Sequence, residues 1–318
     1  MRDLAILVPS RGRPASVARL IAACEHTCTL DWQLCWAFDD DDPTRDEALS
    51  HIRYGERNNR AYTWTGPRQG LAAWTNQMWR DLEGQFRLFG SIGDDHEPIT
   101  RAWDYLMSVA IERGGGGFAY CNNGGHRPEL DWNLPEMCVA NAEVLSALGW
   151  FAEPSMLHYN IDTVWRDLGI GAECLYYLPD VILTHHNWAL WPGRPELRDQ
   201  TQWDSQQQGR RDVLAYEKWR AERMDADVAK VRKALVRLCP GGRSFGWLCS
   251  CSGGVSSALL WRRSLAVCWR VRGGNSGRVG NLAVAARTPI QRNSTNGRAG
   301  TQWQWKTQRR RRTRRGAA

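Results

Sequence analysis

Leu4-Ala5-Ile6-Leu7-Val8 is an unbroken apolar run stopped by Pro9, the pattern of a strand buried on both faces of a parallel sheet. Pro14 then stands at a helix start, with Val17, Leu20, Ile21 and Cys24 at three-to-four spacing along one face. The order strand, loop, helix returns downstream. Trp32 to Phe38 reads as a second strand, Ala61 to Thr65 as a third, Gln69 to Leu82 as a helix, and Phe86 to Ile92 as a fourth strand. Four glycines at 114–117 form a turn before a strand from Phe118 to Cys121. Asn160 is placed to cap a helix carrying Ile161, Val164, Trp165 and Leu168 on one face and stopped by Gly169. A last strand runs from Leu175 to Leu183, interrupted by Pro179, and Arg210 to Leu238 reads as a charged amphipathic helix packed across the domain. Alternation of this kind predicts an α/β fold, Rossmann-like, with a mostly parallel central sheet, right-handed crossovers and flanking helices.

The polar positions fall where that fold needs them for chemistry. Strand two ends in Asp39-Asp40-Asp41-Asp42-Pro43, strand four in Gly93-Asp94-Asp95-His96, and the last strand in Thr184-His185-His186. Carboxyl ends of parallel strands open onto the crevice where such sheets bind ligands. Carboxylates with an imidazole suit a hard cation such as Mg²⁺ or Mn²⁺, which keeps positions open for phosphate oxygens. Taken alone, an Asp-Asp pair after a strand also describes a solvated acidic turn. Alternation along a strand splits His185 and His186 to opposite sides, and His185 is favoured as the inward ring.

Charge divides the chain. Residues 1–238 hold 26 lysines and arginines against 34 acids, a formal charge of −8, whereas residues 239–318 hold 16 basic residues and no acid. The net +8 therefore belongs to the tail. Residues 1–238 are long enough for one catalytic-sized domain with a full core. Residues 239–318, rich in Gly, Ser, Arg and Trp and ending in Arg309-Arg310-Arg311-Arg312-Thr313-Arg314-Arg315, read as a basic low-complexity tail expected to be disordered. Such a tail contacts polyanions nonspecifically, or is an extension produced by a shifted reading frame. The ten cysteines show no Cys-x-x-Cys pair and the chain shows no signal peptide, which points to a reducing cytoplasm. Residues 244–261 are too diluted by Ser, Gly and Cys for a transmembrane segment.

The opening Ile6-Leu7-Val8-Pro9-Ser10-Arg11-Gly12-Arg13-Pro14, the acidic end of strand two, the Gly93-to-His96 turn, an aspartate on a helix start about 65 residues later and a late histidine resemble the A-type-fold glycosyltransferases. Family-2-like inverting members are most similar, and the resemblance covers about residues 4–190. It implies transfer of a sugar from a nucleotide-diphosphate donor to a hydroxyl acceptor, assisted by Mn²⁺ or Mg²⁺. The Asp94-Asp95-His96 turn matches the family's Asp-x-Asp metal motif, with His96 where the second acid often stands. Asp95, His96 and His185 are then the implied metal ligands, with His186 the other choice for the late histidine. Pro9, Arg11, Asp39 and Asp94 are implied to line the nucleotide. Arg11 either approaches the base or diphosphate or, together with Arg13, neutralises an acidic cleft. Asp162 matches the catalytic base, with Asp131 a weaker candidate, and Trp132, Trp188 and Trp191 lie near the acceptor side.

Two rival readings use the same residues differently. A nucleotidyltransferase also builds a metal-diphosphate site on an α/β sheet, but it carries a Gly-rich loop with a lysine after strand one. Here Ser10 to Pro14 has only Gly12 and no lysine. A nucleic-acid-binding protein would act through the tail and use the body as a scaffold.

Overall fold

The computed structural model describes residues 1–56, 61–125, 134–187, 190–191 and 200–238, all within the unit Met1–Ser250. The tail and the positions Asp131, Trp132 and Trp188 lie outside the described residues. The strands are β1 (Arg2–Ser10), β2 (Trp32–Asp39), β3 (Ala61–Gly66), β4 (Phe86–Ser91), β5 (His96–Pro98), β6 (Phe118–Asn122), β7 (Cys138–Asn141) and β8 (Leu175–His185). The helices are α1 (Pro14–Thr27), α2 (Arg45–Glu56), α3 (Leu71–Leu82), α4 (Trp103–Gly114), α5 (Ala142–Leu148), α6 (Ile161–Gly171), α7 (Gln200–Glu222) and α8 (Met224–Leu238).

One eight-stranded sheet has the order β3-β2-β1-β4-β7-β6-β8-β5. Four neighbouring pairs are parallel (β1 with β2, β1 with β4, β2 with β3, β6 with β8) and three are antiparallel, so the sheet is mostly parallel with a mixed half. Alternate residues of the buried strands feed two apolar layers. Leu4, Ile6, Val8, Leu34, Trp36 and Phe38 pack with α1, α2 and α4. Ala5, Leu7, Cys35, Ala37 and Phe89 pack with α3, α5, α6 and α8. A run that is apolar at every position is thus explained by two covered faces.

The chain reverses direction of travel between β1 and β4. From β1 it moves outward through β2 and β3, then returns to place β4 on the other side of β1. The carboxyl ends of these two strands define a topological switch point, where open α/β sheets form ligand crevices.

Several local expectations are corrected. Pro9 does not stop β1, which runs to Ser10. Pairing with β4 ends at Leu7 opposite Ser91, so the missing Pro9 N–H deprives no neighbouring carbonyl of β4. Pro179 does interrupt β8: Cys121 pairs with Leu178 but Asn122 pairs with Ile182, leaving a bulge around the proline. Asn160 occupies the residue before α6 but makes no side-chain cap. It adopts φ +63°, and its Nδ2 is buried without a partner. The α6 helix also passes Gly169, ending at Gly171. Arg210 to Leu238 is two helices that break at Arg223 rather than one. The short strands β5 and β7 had no expectation in the sequence pattern.

Candidate functional site

The site assembles at the switch point. Ser10 at the end of β1 donates its hydroxyl to Asp94 Oδ2 at 2.6 Å, tying the first loop to the turn after β4. Gly12, at φ +73°, lets the chain double back so that its N–H reaches Asp42 Oδ2 at 2.9 Å. Arg13 then points inward. Its Nη1 lies 2.9 Å from Asp94 Oδ1 and 3.0 Å from Asp95 Oδ2. Arg13 thus pairs with both acids of the turn, the neutralisation of the cleft expected of it.

Asp95 is the junction. While Oδ2 meets Arg13, Oδ1 lies 3.4 Å from His185 Nε2 and 3.6 Å from His96 Nδ1. His96 and His185 are directly opposite in the antiparallel pairing of β5 with β8. Their rings stack with centroids 4.1 Å apart and planes 16° apart. One ligand atom from each of Asp95, His96 and His185 lies within 4.8 Å of the others. His186 turns away to Glu97, its Nε2 2.7 Å from Oε2.

Two observations test whether a cation fits. His96 is only 2% exposed, and neither of its ring nitrogens has a hydrogen-bond partner. A buried imidazole with both nitrogens unsatisfied is costly unless something coordinates one of them. Gly93 supplies the room. A Cβ there would stand 2.7 Å from Asp95 Oδ1 and 2.9 Å from His96 Nδ1, on top of the ligand atoms. The donor set of one carboxylate and two imidazoles suits Mn²⁺-like ions and tolerates Mg²⁺ less well.

Electrostatics agree with one anionic pocket partly offset by cations. Burial and the charge of His185 hold the His96 imidazole below its ordinary value, favouring the neutral, ligating form. For His185, burial opposes protonation, but Asp95 and Glu136 outweigh it and raise the ring to about 10. Asp95 is held well below the carboxylate range: burial pushes it up, while His185, His96 and Arg13 prevail in the other direction. Burial raises Asp94 despite Arg13.

Glu136 had no local signal in the sequence, yet it completes the cluster. Its Oε2 lies 2.8 Å from His185 Nδ1 and accepts from Asn123 Nδ2 at 3.0 Å. A carboxylate on the far nitrogen of a ligating histidine fixes the ring's tautomer and orientation. Only its position just before β7, whose pairing is non-local, brings Glu136 here. His158 was also missed: burial, helped by the charges of Arg13 and His185 and opposed by Asp95, holds its imidazole below the ordinary value.

Asp162 lies in the first turn of α6, partly exposed, with Oδ1 accepting from the Thr163 N–H at 2.7 Å. Burial raises its carboxyl above the ordinary range, and the nearby charge of Glu136 pushes the same way. Asp39 is buried at the end of β2. Its Oδ1 accepts from the Trp74 indole at 2.8 Å and its Oδ2 meets Arg11 at 3.2 Å. Arg11 also binds Asp41. Pro9 is the penultimate residue of β1, next to Ser10. Trp191 donates its indole N–H to the His185 carbonyl at 2.8 Å, so it borders the cluster.

Fold and site together define an α/β protein that gathers one carboxylate and two imidazoles, a donor set with the chemistry to hold a cation, at the switch point of its sheet. No family profile matches the chain. No curated protein matches its sequence either. Among solved structures, a mannosyltransferase from Pyrobaculum calidifontis, PcManGT, in complex with GDP-Man and Mn²⁺, is 12% identical with a TM-score of 0.47, over 85% of this chain and 83% of that one. S. aureus TarS 1-349 in complex with UDP is 10% identical with a TM-score of 0.47, over 81% and 78%. A further S. aureus TarS structure is 8% identical with a TM-score of 0.44, and 36% of its length is covered. At these identities and scores, the activity has to be argued from the site alone. No helix among the described residues is long and apolar enough to cross a membrane.

Proposed function

We propose that residues 1–238 are a glycosyltransferase that moves a sugar from a nucleotide-diphosphate donor to a hydroxyl acceptor by single displacement with inversion. The observation that carries this reading is the buried His96 ring with both nitrogens unsatisfied, beside Asp95 and His185 and in front of the space left by Gly93. Asp95, His96 and His185 would hold Mn²⁺ or Mg²⁺, which when bound neutralises charge on a departing diphosphate. Glu136 keeps His185 oriented, and Arg13 and Ser10 fix the two carboxylates of the turn. Arg11 and Asp39 stand at the end of β2 for the nucleoside.

Asp162 has the role of base. Its carboxylate takes the proton of the acceptor hydroxyl as that oxygen bonds to the anomeric carbon and the bond from that carbon to the diphosphate oxygen breaks. A raised carboxyl pKa suits a group that must accept this proton near neutrality. One carboxylate is enough for a single displacement, whereas glycoside hydrolysis needs two flanking the bond.

The direct test is donor hydrolysis and transfer with UDP-GlcNAc and GDP-mannose, with and without Mn²⁺. Turnover should require Mn²⁺ or Mg²⁺, and Asp95→Ala should abolish it along with metal-dependent nucleotide binding. No turnover of any nucleotide sugar, with nucleotide binding indifferent to Asp95→Ala, would remove the proposal.

A further inference from the structure

We infer that Arg13 is a resident cation that makes metal binding conditional on the diphosphate, penalising a bare ion and favouring an ion that arrives with its anion. The inference rests on the metal-assisted reading above and concerns how that site is loaded.

Three features of the geometry support it. First, Arg13 spans both acids of the turn through one nitrogen, 2.9 Å from Asp94 Oδ1 and 3.0 Å from Asp95 Oδ2. Second, the two oxygens of Asp95 are divided. Oδ2 faces the guanidinium, and Oδ1 faces His96 and His185. A cation at the histidines would therefore share one carboxylate with a second, permanent positive charge. Third, the Arg13 side chain is only 13% exposed, so water screens this repulsion weakly.

The same guanidinium attracts the other half of the load. A diphosphate presents oxygens that match the guanidinium fork, and its charge compensates both cations. Metal and diphosphate then strengthen one another, and by linkage each raises the affinity of the other by the same factor. An enzyme so built would hold little metal until its donor arrives.

The role can be separated from simple orientation of Asp95. If Arg13 only oriented the carboxylate, removing it would weaken Mn²⁺ binding. If it acts as a competing charge, removing it strengthens Mn²⁺ binding. Wild type, Arg13→Gln, Arg13→Lys and Arg11→Gln are titrated with Mn²⁺ alone, followed by the paramagnetic signal of the free ion, and then with UDP or GDP at saturating Mn²⁺. Arg13→Gln should bind Mn²⁺ alone about tenfold tighter and the nucleotide about tenfold weaker, a change of ~1.4 kcal/mol each way. Arg13→Lys keeps the charge and should stay close to wild type for Mn²⁺ alone. Arg11→Gln removes a charge held by Asp39 and Asp41: it should weaken binding of the nucleotide, whose proposed pocket it lines, but leave the affinity for Mn²⁺ alone unchanged. Thermal melts confirm folding, and Arg13→Met, which keeps the aliphatic stem, replaces the glutamine variant if that one is unfolded. Mn²⁺ affinity in Arg13→Gln at or below wild type would overturn the inference, as would equal tightening in Arg11→Gln. Failure of all four proteins to bind Mn²⁺, with or without nucleotide, would instead remove the metal-assisted reading beneath it.

Discussion

Asp212 offers the sharpest test of how the fold holds its proposed base. It sits on α7 with its side chain closed to solvent. Its carboxylate accepts three consecutive backbone N–H groups, from Leu157 at 2.9 Å, His158 at 2.8 Å and Tyr159 at 2.7 Å. The segment is gripped from its other side by α3, where the Ala72 N–H donates to the Leu157 carbonyl at 3.2 Å. Gly70, at φ +86°, allows that approach, since a Cβ there would lie 3.0 Å from the same carbonyl. The segment runs directly into Asn160 and the α6 turn that carries Asp162.

Each hydrogen bond to a charged acceptor contributes roughly 1.5–3 kcal/mol net, and three on one carboxylate are not additive. Asp212→Ala strips all three at once, and water entering the loosened loop recovers part of the loss. The expected fall in unfolding free energy is about 3–5 kcal/mol, a large share of the roughly 5–15 kcal/mol of an ordinary domain. Asp212→Asn keeps the size and one acceptor oxygen, so its fall should be about 1–3 kcal/mol. Urea denaturation measures both, with an unchanged slope showing that stability alone has moved. Hydrogen exchange at the amides of residues 157–159 localises the effect. A loss below about 1 kcal/mol in Asp212→Ala, with those amides still protected, would refute the reasoning.

Other outcomes follow from the site. Glu136→Gln removes the carboxylate on His185 Nδ1 and should weaken Mn²⁺ binding about 10- to 100-fold by calorimetry, with little change in thermal stability. Gly93→Ala should block the cation by placing a methyl group 2.7 Å from Asp95 Oδ1, lowering Mn²⁺ affinity by about tenfold or more in the same titration. Asp162→Asn should reduce kcat about 10²- to 10⁴-fold while nucleotide affinity holds, because the base touches the acceptor and not the donor. For wild type, transfer needs Asp162 ionised and its pKa is raised, so kcat should fall with decreasing pH at values above those of an ordinary aspartate. That limb should vanish in Asp162→Asn.

What was legible in the sequence was local. The apolar runs at Leu4 to Val8 and Trp32 to Phe38 could be read because strands covered on both faces have no polar positions to confuse the period. The acids and histidines at strand ends could be read because α/β topology sends those ends to one crevice. The strands β5 and β7, three and four residues long, could not, because neither is long enough to show a period. Their partners are far away in the chain: His96 finds His185, and Ala140 finds Phe89 and Phe118. Glu136 and Asp212 were invisible for the same reason. A single carboxylate in a loop or on a helix carries no mark of the atoms it will meet.

The histidine in the acidic turn also acquires a physical reason. Asp94 and Asp95 already place two carboxylates in a buried turn, and Glu136 brings a third nearby. One guanidinium, that of Arg13, bridges the first two. A further acid at position 96, only 2% exposed, would add a fourth carboxylate to a buried cluster that holds three against Arg13 and His185. An imidazole supplies a ligand atom without that charge, and burial holds it neutral. Pairing β5 against β8 stacks this ring on His185, so two of the three proposed ligands are positioned by sheet register, leaving only Asp95 to the turn. The departure from two acids thus follows from a site whose proposed ligands come from a turn and two antiparallel strands, and in which Arg13 offsets only part of the carboxylate charge.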